Sequence, residues 1–355
     1  MEHRRFLRLL VIVALPSLTN SCVPGTADRR RANPTLTLQA SGTTSRLQAI
    51  SPVDDRVAWA SGLEGTFALT VDGGQTWRTG TVPGAESLQF RDVHAVDSST
   101  AYLLSAGPGD GSRIYKTSNG GGSWVEQFVN HEPEAFFDCM AFWDESNGIA
   151  FSDAVDGRFP VIITEDGEHW NPLPQAAIPA ALHGEGGYAA SGDCLVTLGD
   201  STAWFGTGSS NRARVFVTVD RGNSWSAHET PVVSGTGRGI TALAFEDVFR
   251  GLAVGGNIND PDEYSDNVAW TADGGTTWTL AGRPAFSGAI YGVASIPGLR
   301  HSFVAVGPKG ATYTLDNGLN WALLDTLAYW SVAFSSRDVG WAVGPDGRIA
   351  LVRTF

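Results

Sequence analysis

The stretch TVDGGQTW, from Thr70 to Trp77, is one of six similar copies along this chain of 355 residues. In each copy a Thr precedes a short turn with Asp or Asn and Gly, and a Trp follows the turn. We call this stretch the box. Its turn residues and tryptophans are Asp72 and Trp77, Asn119 and Trp124, Asp166 and Trp170, Asp220 and Trp225, Asp273 and Trp278, and Asp316 and Trp321. The spacing, near 50 residues, predicts stacked copies of one supersecondary unit rather than one irregular core.

The segments around each box predict four short strands. A small apolar strand comes first, a second strand follows a polar turn, the third runs into the Thr of the box, and the fourth follows its Trp. Four such strands separated by turn signals are typical of one propeller blade. A seventh pair of strands, 340–344 and 348–352, is followed by no box.

Residues 35–39, which alternate polar and apolar side chains, have the pattern of the strand that the seventh blade lacks. Pairing between the two ends of the chain would leave fewer exposed sheet edges. The sequence therefore predicts an all-β fold, a seven-bladed β-propeller of four-stranded antiparallel blades. Its ring is closed by pairing the N-terminal strand with the C-terminal blade.

The box residues themselves favour a structural role. An Asp or Asn side chain accepts hydrogen bonds from turn amides, and Gly adopts positive φ without steric cost. A Trp after the turn can bury a large ring between neighbouring blades. We therefore expect the boxes to shape hairpins and to mark the rim of the propeller where binding does not occur.

The first 22 residues predict an export signal. Basic residues at the start precede an apolar run, 9–18, that is too short to span a bilayer. The following Thr19-Asn20-Ser21-Cys22 resembles a bacterial lipobox and favours lipidation of Cys22, while cleavage nearby to give a soluble exported protein remains the alternative. The predicted organisation is a signal over 1–22, a linker over 23–33 and the propeller over 34–355, in a periplasmic or cell-envelope location or secreted.

The charge balance argues against nucleic acid as a partner. The chain carries 24 Lys and Arg against 37 Asp and Glu, a formal net charge of −13. Residues 1–33 are basic, so the predicted propeller is more acidic still. An acidic surface repels phosphate backbones and anionic lipid, and we expect membrane association only through an anchor at Cys22.

The boxes resemble the Asp-box (BNR) repeats of sialidases, sortilin-type receptors and the photosystem II stability/assembly factor family. The resemblance covers about residues 34–355 and extends to stretches such as 151–159, 206–216 and 251–256. It implies an exported seven-bladed propeller that acts as a non-catalytic protein-binding or assembly scaffold. The family's assembly factor is associated with an Arg-rich face, whereas this chain is acidic, and a fold does not by itself fix a function.

A glycoside hydrolase of the sialidase type is the alternative. Such an enzyme needs three arginines that converge on a carboxylate, with a Tyr–Glu pair beside them. The arginines available are Arg91, Arg113, Arg158, Arg212, Arg214 and Arg238, and Tyr188 and Glu185 lie close together in sequence. Glycine-rich stretches occur outside any strand–helix unit, so no dinucleotide site is indicated. The sequence predicts no cofactor and assigns no catalytic residue.

The loops that depart from the repeat are the best places to seek a binding site. They are 152–158, 183–193, 207–214 and 257–267, and they fall in the third to fifth blades. From them and their surroundings we select a polar patch for a protein partner, with a glycan also open: Asp153, Asp156, Arg158, Arg212, Arg214, Arg238 and Asn257. Ordinary loop solvation and inter-strand salt bridges are the favoured alternative for each one. Loop 257–267 carries several oxygen ligands but lacks EF-hand spacing, so a solvated acidic loop is favoured over a Ca²⁺ site and no metal is predicted.

Two cysteines fall at equivalent positions of neighbouring blades. Cys139 and Cys194 both lie on predicted innermost strands. Equivalent side chains of stacked blades point in the same rotational sense, and packed sheets lie about 10 Å apart, which exceeds the reach of a disulfide. We therefore expect two buried free thiols.

Overall fold

A computed structural model describes Met1 and residues 34–354 of the chain. The predicted signal, the linker and Cys22 lie outside the described residues. Residues 34–354 contain 28 strands, β1 to β28, and two 3₁₀ turns, Gly109–Gly111 and Gln175–Ala177. None of the helical segments in this part of the chain is long and apolar enough to span a bilayer.

The strands form seven antiparallel sheets of four strands each, which confirms the predicted seven-bladed propeller. Blades are numbered in chain order, and their strands are A to D from the innermost outwards. Blade 1 is Leu47–Pro52, Ala58–Gly62, Thr66–Thr70 and Arg78–Thr81 (β2–β5); blade 2 is Phe90–Ala95, Ala101–Ser105, Arg113–Thr117 and Val125–Val129 (β6–β9); blade 3 is Phe137–Phe142, Gly148–Ser152, Val161–Thr164 and Asn171–Pro172 (β10–β13); blade 4 is Leu195–Leu198, Thr202–Gly206, Ala213–Thr218 and Ser226–Thr230 (β14–β17); blade 5 is Arg238–Phe245, Gly251–Asn257, Val268–Thr271 and Thr279–Leu280 (β18–β21); blade 6 is Gly292–Ser295, Phe303–Gly307, Gly310–Thr314 and Ala322–Asp325 (β22–β25); and blade 7 is Ser331–Phe334, Val339–Val343, Ile349–Arg353 and, as its outer strand, Thr35–Gln39 (β26–β28 and β1).

The ring closes as predicted, by pairing of the N-terminal strand with the last blade. β1 pairs antiparallel with β28, from Thr35 opposite Arg353 to Gln39 opposite Ile349. Gln39 also joins blade 7 to blade 1, because its Oε1 accepts a hydrogen bond from Trp77 Nε1 at 3.0 Å. The closing strand is thus tied to the box of the neighbouring blade as well as to its own sheet.

The hydrophobic core is divided among the junctions between blades. Each of seven clusters of buried side chains joins two neighbouring blades, and six of them include a box tryptophan. Trp77 packs with Trp341 of blade 7, and Trp124 meets Trp59 of blade 1 edge to face at 6.1 Å. The junction between blades 6 and 7 has no box tryptophan and includes Leu36 of β1 instead.

Hydrogen bonds within the boxes close the hairpins between the third and fourth strands. In the first box, Asp72 Oδ1 accepts from Thr76 N at 2.9 Å and Asp72 Oδ2 from Thr76 Oγ1 at 2.6 Å. Gly74 N donates to Thr70 Oγ1 at 2.8 Å. The Thr76 donors hold the pKa of Asp72 at about 2, so this carboxylate stays ionised and keeps its bonds. Asn119, Asp166, Asp220, Asp273 and Asp316 accept corresponding backbone bonds.

The expectation of two free thiols is wrong, because Cys139 and Cys194 form a disulfide with their Cα atoms 6.0 Å apart. The two positions are not geometrically equivalent. A bulge between Phe137 and Cys139 rotates the start of β10, whereas β14 pairs regularly from Leu195 onwards. The 10 Å spacing also does not apply here, because neighbouring blades approach each other most closely at their innermost strands. The disulfide therefore joins blades 3 and 4 beside the channel.

The two faces of the propeller carry different connections. The A–B turns and the boxes lie on one face, which we call the box face. The B–C and D–A connections lie on the other, which we call the loop face. The alternation follows from the antiparallel order of every sheet, and it assigns all four irregular loops, 152–158, 183–193, 207–214 and 257–267, to the loop face.

Candidate functional site

The longest departure from the repeat crosses the central channel. Residues 185–193, which we call the channel segment, belong to the D–A connection between blades 3 and 4. Arg91 Nη1 of blade 2 donates to Ala189 O at 3.1 Å, and Ser191 Oγ donates to Tyr291 O of blade 6 at 2.6 Å. Leu243 N of blade 5 donates to Asp193 O at 2.8 Å. The segment therefore contacts blades on opposite sides of the channel.

A buried ion pair holds the start of the channel segment. Arg214 donates through Nε to Glu185 Oε1 at 2.8 Å and through Nη2 to Glu185 Oε2. The Glu185 side chain is fully buried and that of Arg214 is 11% exposed. Thr207 Oγ1 and Leu182 N also donate to this carboxylate, at 2.6 and 2.8 Å. Arg214 thus fixes the loop and does not offer its charge to a ligand.

Two buried carboxyl groups support the middle of the segment from blade 3. Asp153 Oδ1 accepts from Gly187 N at 2.7 Å, and Asp138, which is only 1% exposed, lies beside the segment with its Oδ2 unpaired among the described residues. A Cβ atom on Gly187 would lie 2.6 Å from Asp138 Oδ2, so any larger residue here would displace the Asp138 side chain. Burial raises the pKa of Asp153 to about 6. Burial and the neighbouring Asp153 raise the pKa of Asp138 well above its usual range.

The other residues of the predicted patch lie on the loop face but have separate surroundings. Arg212 pairs with Glu229 at 2.5 Å, with both side chains more than half exposed. Arg238 Nη2 and Asn257 Nδ2 both donate to Glu263 Oε2, at 2.9 and 2.6 Å. Asp156 and Arg158 lie exposed in one tight turn, in which Asp156 has a φ of 49°. Only Arg238 and Asn257 are brought together through a shared partner.

Four of the six arginines named for the sialidase alternative are held apart by different acidic partners. Arg113 pairs with Glu126, Arg212 with Glu229, Arg214 with Glu185 and Arg238 with Glu263. Tyr188 forms its hydroxyl hydrogen bond with Ser209 Oγ at 2.7 Å rather than with Glu185. The described arginines therefore form no three-arginine cluster beside a Tyr–Glu pair.

The acidic loop 257–267 likewise distributes its oxygen atoms among protein donors. Asp262 pairs with Lys309 of blade 6 at 2.9 Å. Asp260 Oδ1 accepts from Asp262 N at 3.0 Å, and Glu263 bonds Arg238 and Asn257. Within residues 34–354 no group of three or more His, Cys, Asp or Glu side chains is placed to hold a metal ion.

A pocket that sequence reasoning missed opens at the loop-face mouth of the channel. It has a volume of about 170 Å³, and we call it the mouth pocket. It is walled by the starts of inner strands, by the channel segment and by one side chain of loop 257–267. Its lining residues are Arg46, Gln48, Arg91, Tyr188, Ala189, Ala190, Ile258, Tyr291 and Trp330.

The mouth pocket contains buried polar atoms that lack partners. Arg46 Nε and Gln48 Oε1 are buried without a hydrogen-bond partner among the described residues, and Gln48 is only 1% exposed. The Arg46 guanidinium lies 4.8 Å from the ring centroid of Trp330, which meets Tyr291 edge to face at 5.1 Å. Burial and the nearby charge of Arg46 lower the pKa of Arg91. The arrangement is cationic, partly desolvated and flanked by aromatic rings.

The channel segment separates the mouth pocket from a wider cavity of about 420 Å³ on the box face. Tyr188 to Ala190 line the former, and Ser191 to Asp193 line the latter. In the wider cavity burial raises the pKa of Asp92 to about 8. A shallower depression of about 680 Å³ lies at the ring closure. None of the described residues that line it has a buried polar side-chain atom without a partner, so the mouth pocket is the better candidate site.

Charged residues at the starts of inner strands were the signal that could have located this site. Arg46, Arg91 and Asp138 lie next to the first residue of an inner strand, and Asp193 lies two residues before one. Their placement around one channel required the ring.

Comparison with known proteins finds likeness of fold only. No family model and no curated protein matches this chain. The solved structure titled YCF48 bound to D1 peptide superposes with a TM-score of 0.64 at 15% identity, over 92% of this chain and 96% of the other. YCF48 from Cyanidioschyzon merolae superposes with a TM-score of 0.60 at 16% identity, over 90% and 99%. A GH74 xyloglucanase from Xanthomonas campestris gives 0.61 at 15% identity, over 89% of this chain and 53% of the enzyme. The chain is thus similar to propellers of quite different activities.

Proposed function

We propose that this protein is an exported, non-catalytic propeller that binds a polypeptide partner on its loop face and acts in the assembly or stability of that partner. The observation that carries the proposal is the mouth pocket, a cationic recess with unsatisfied buried polar atoms in an otherwise acidic chain. Buried polar groups without hydrogen-bond partners lower the stability of the folded chain. A ligand that supplies those partners is therefore bound favourably. Similarity to a propeller solved with a bound peptide supports the choice of a polypeptide.

The acidic character of the chain shapes the kind of partner. A net charge of −13 repels acidic surfaces at long range, so a partner whose docking surface is neutral or basic around one anionic group fits best. This differs from an Arg-rich face that attracts acidic segments broadly. The resemblance to Asp-box assembly factors thus supports the type of activity but not the same partner.

Selection of binders from a random peptide library on the purified protein tests the proposal. Ile258 lines the mouth pocket and is 38% exposed, whereas Val219 is 67% exposed in a box on the opposite face. Selected peptides should lose binding to Ile258→Arg and keep it with Val219→Arg, the matched control. Failure to select any peptide, or equal binding by both variants, would contradict a peptide site at this mouth.

The glycosidase alternative has its own test. Turnover of a sialoside by the purified chain would overturn a non-catalytic role, and we expect none. Export and anchoring are tested by cell fractionation of the wild type and of Cys22→Ser. The wild type should be found with the envelope, and the variant should move to a soluble exported fraction. Recovery of both in the cytoplasm would refute export.

A further inference from the structure

We infer that the mouth pocket binds the carboxyl-terminal residue of a polypeptide, through Arg46 and Arg91 to the carboxylate and Gln48 to the last backbone N–H. This inference rests on the proposed peptide-binding function and specifies its ligand. It starts from which donors and acceptors in the pocket are already used.

Arg46 and Arg91 have N–H groups to offer. An arginine has five N–H donors. Arg91 uses three of them, because its Nε and Nη2 donate to Gln89 Oε1 and its Nη1 to Ala189 O. Arg46 lies over the Trp330 ring, and its buried Nε has no acceptor among the described residues. Two guanidinium groups that line one pocket and have free donors favour a carboxylate, which accepts in the same planar geometry.

Acidic side chains around the pocket do not neutralise this charge. Asp138 is the carboxyl group that attracts Arg91. Its pKa is raised by burial and by the neighbouring Asp153, which favours the neutral form. No Asp or Glu is among the described residues that line the pocket itself, so no carboxylate of the lining cancels its positive charge.

Gln48 adds a requirement that a simple anion does not meet. Its Oε1 is a buried acceptor without a donor. A ligand that suits both groups carries an N–H next to its carboxylate. A peptide C-terminus has this combination in its last residue, whereas in an Asp or Glu side chain the carboxylate is one or two carbons further from the backbone N–H.

The shape of the pocket favours a chain end over a loop. Its volume of about 170 Å³ equals roughly five to six water volumes in the liquid, which is enough for one residue. Tyr188, Ala189 and Ala190 of the channel segment close it from below, so a strand that entered could not continue through the channel. Trp330 and Tyr291 provide apolar ring surface for the terminal side chain.

Affinity selection from a matched pair of libraries tests this inference. The probes are N-acetylated tetrapeptide mixtures that are identical except for a free carboxylate or an amide at the C-terminus, exposed to the immobilised full chain and read by mass spectrometry. The acid library should be enriched at least about tenfold over the amide library, the effect of losing one charge-assisted bond. Arg46→Gln should abolish the preference, and among the described residues no acceptor hydrogen-bonded to the Arg46 Nε is left unpaired by the change. Arg91→Lys tests the second arginine with its charge kept.

Arg113→Gln is the matched control. It also removes a guanidinium on the loop face, but that group is paired with Glu126 outside the pocket, and the preference should persist. Equal enrichment of the two libraries would overturn the carboxyl-terminal ligand while leaving peptide binding intact. Enrichment that follows internal Asp or Glu would overturn it in favour of a side-chain carboxylate. Absence of enrichment from either library by a folded protein would overturn the proposed function as well.

Discussion

Replacement of Arg214 by Met tests whether the buried ion pair anchors the channel segment. The guanidinium of Arg214 makes two hydrogen bonds to Glu185. Its central carbon, Cζ, lies 4.7 Å from the ring centroid of Phe216. Methionine retains much of the apolar contact with Phe216 and removes the charge. The variant therefore leaves the Glu185 carboxylate in place without its cationic partner.

The expected loss of stability follows from the burial of the pair. After the change Glu185 keeps only two donors, Thr207 Oγ1 and Leu182 N, and its side chain remains fully buried. Breaking a buried ion pair from one side costs about 3–5 kcal/mol, because an unpaired charge stays in a poorly solvated site. Both groups are less than a third exposed, so solvent screening reduces this value little.

Urea unfolding of three variants decides the matter. Arg214→Met should lower the free energy of unfolding by about 3–5 kcal/mol, and the double variant Arg214→Met with Glu185→Gln should recover much of it, since no buried charge remains. Arg212→Met is the control. Its exposed pair with Glu229 contributes about 1 kcal/mol or less. A loss below about 1 kcal/mol for Arg214→Met, or a double variant as unstable as the single one, would refute the reasoning.

Three further predictions concern the disulfide, a buried carboxyl group and a box tryptophan. Replacing Cys139 and Cys194 by Ser should lower stability in urea by about 4 kcal/mol, from the chain entropy of a loop closed across 55 residues; recovery of two free thiols from the unreduced wild type would contradict the bond. Burial raises the pKa of Asp92 to about 8 in the folded chain, so between about pH 4 and about pH 8 the folded state holds a proton that the unfolded state has lost. The free energy of unfolding should therefore fall as the pH rises through this range, by at most about 1.4 kcal/mol per pH unit. Asp92→Asn should show a shallower slope between about pH 7 and about pH 8, and slopes equal to those of the wild type would exclude this origin. Trp225→Ala should cost about 3–5 kcal/mol, because the Trp225 ring is only 8% exposed and packs 5.1 Å from Phe205; calorimetry that shows an unchanged Tm would be inconsistent with its place in the core.

The fold was predictable because its determinants are local and repeated. Each box carries its own turn chemistry within eight residues or fewer, as the bonds of Asp72 and Thr70 illustrate, so one copy can be recognised without knowledge of the others. Six copies then fixed the blade count, apart from the seventh blade. That blade was predictable because residues 35–39 have strand alternation and no other partner within the repeat.

The candidate site was not predictable in the same way. The selected patch followed loops that depart from the repeat, and the channel segment is indeed one of these. Arg214 was predicted to contact a partner, but its guanidinium is paired with the carboxylate of Glu185, which lies 29 positions away in the sequence. The repeat pattern did not indicate a site at Arg46 and Arg91, because Arg46 immediately precedes a regular strand and Arg91 lies within one rather than in an irregular loop.

The disulfide shows why equivalent positions in a repeat can differ in space. Cys139 and Cys194 align in sequence, but a single bulge in β10 and the long connection before β14 change the direction of the side chains. A pattern of residues records the order of the strands and not the local rotation of each one. Register shifts of one residue reverse the face to which a side chain points.

By itself the sequence determined the blade, the number of blades and the strand that closes the ring, because turn residues and alternating side chains act over a few positions. Only the tertiary structure decided which charged groups meet. Gln48, Arg91 and Asp138 come from separate blades and share one channel because seven inner strands converge there. Their burial and the electrostatic interactions between them depend on that convergence. The same convergence decides whether an arginine is paired with a carboxylate or keeps free donors.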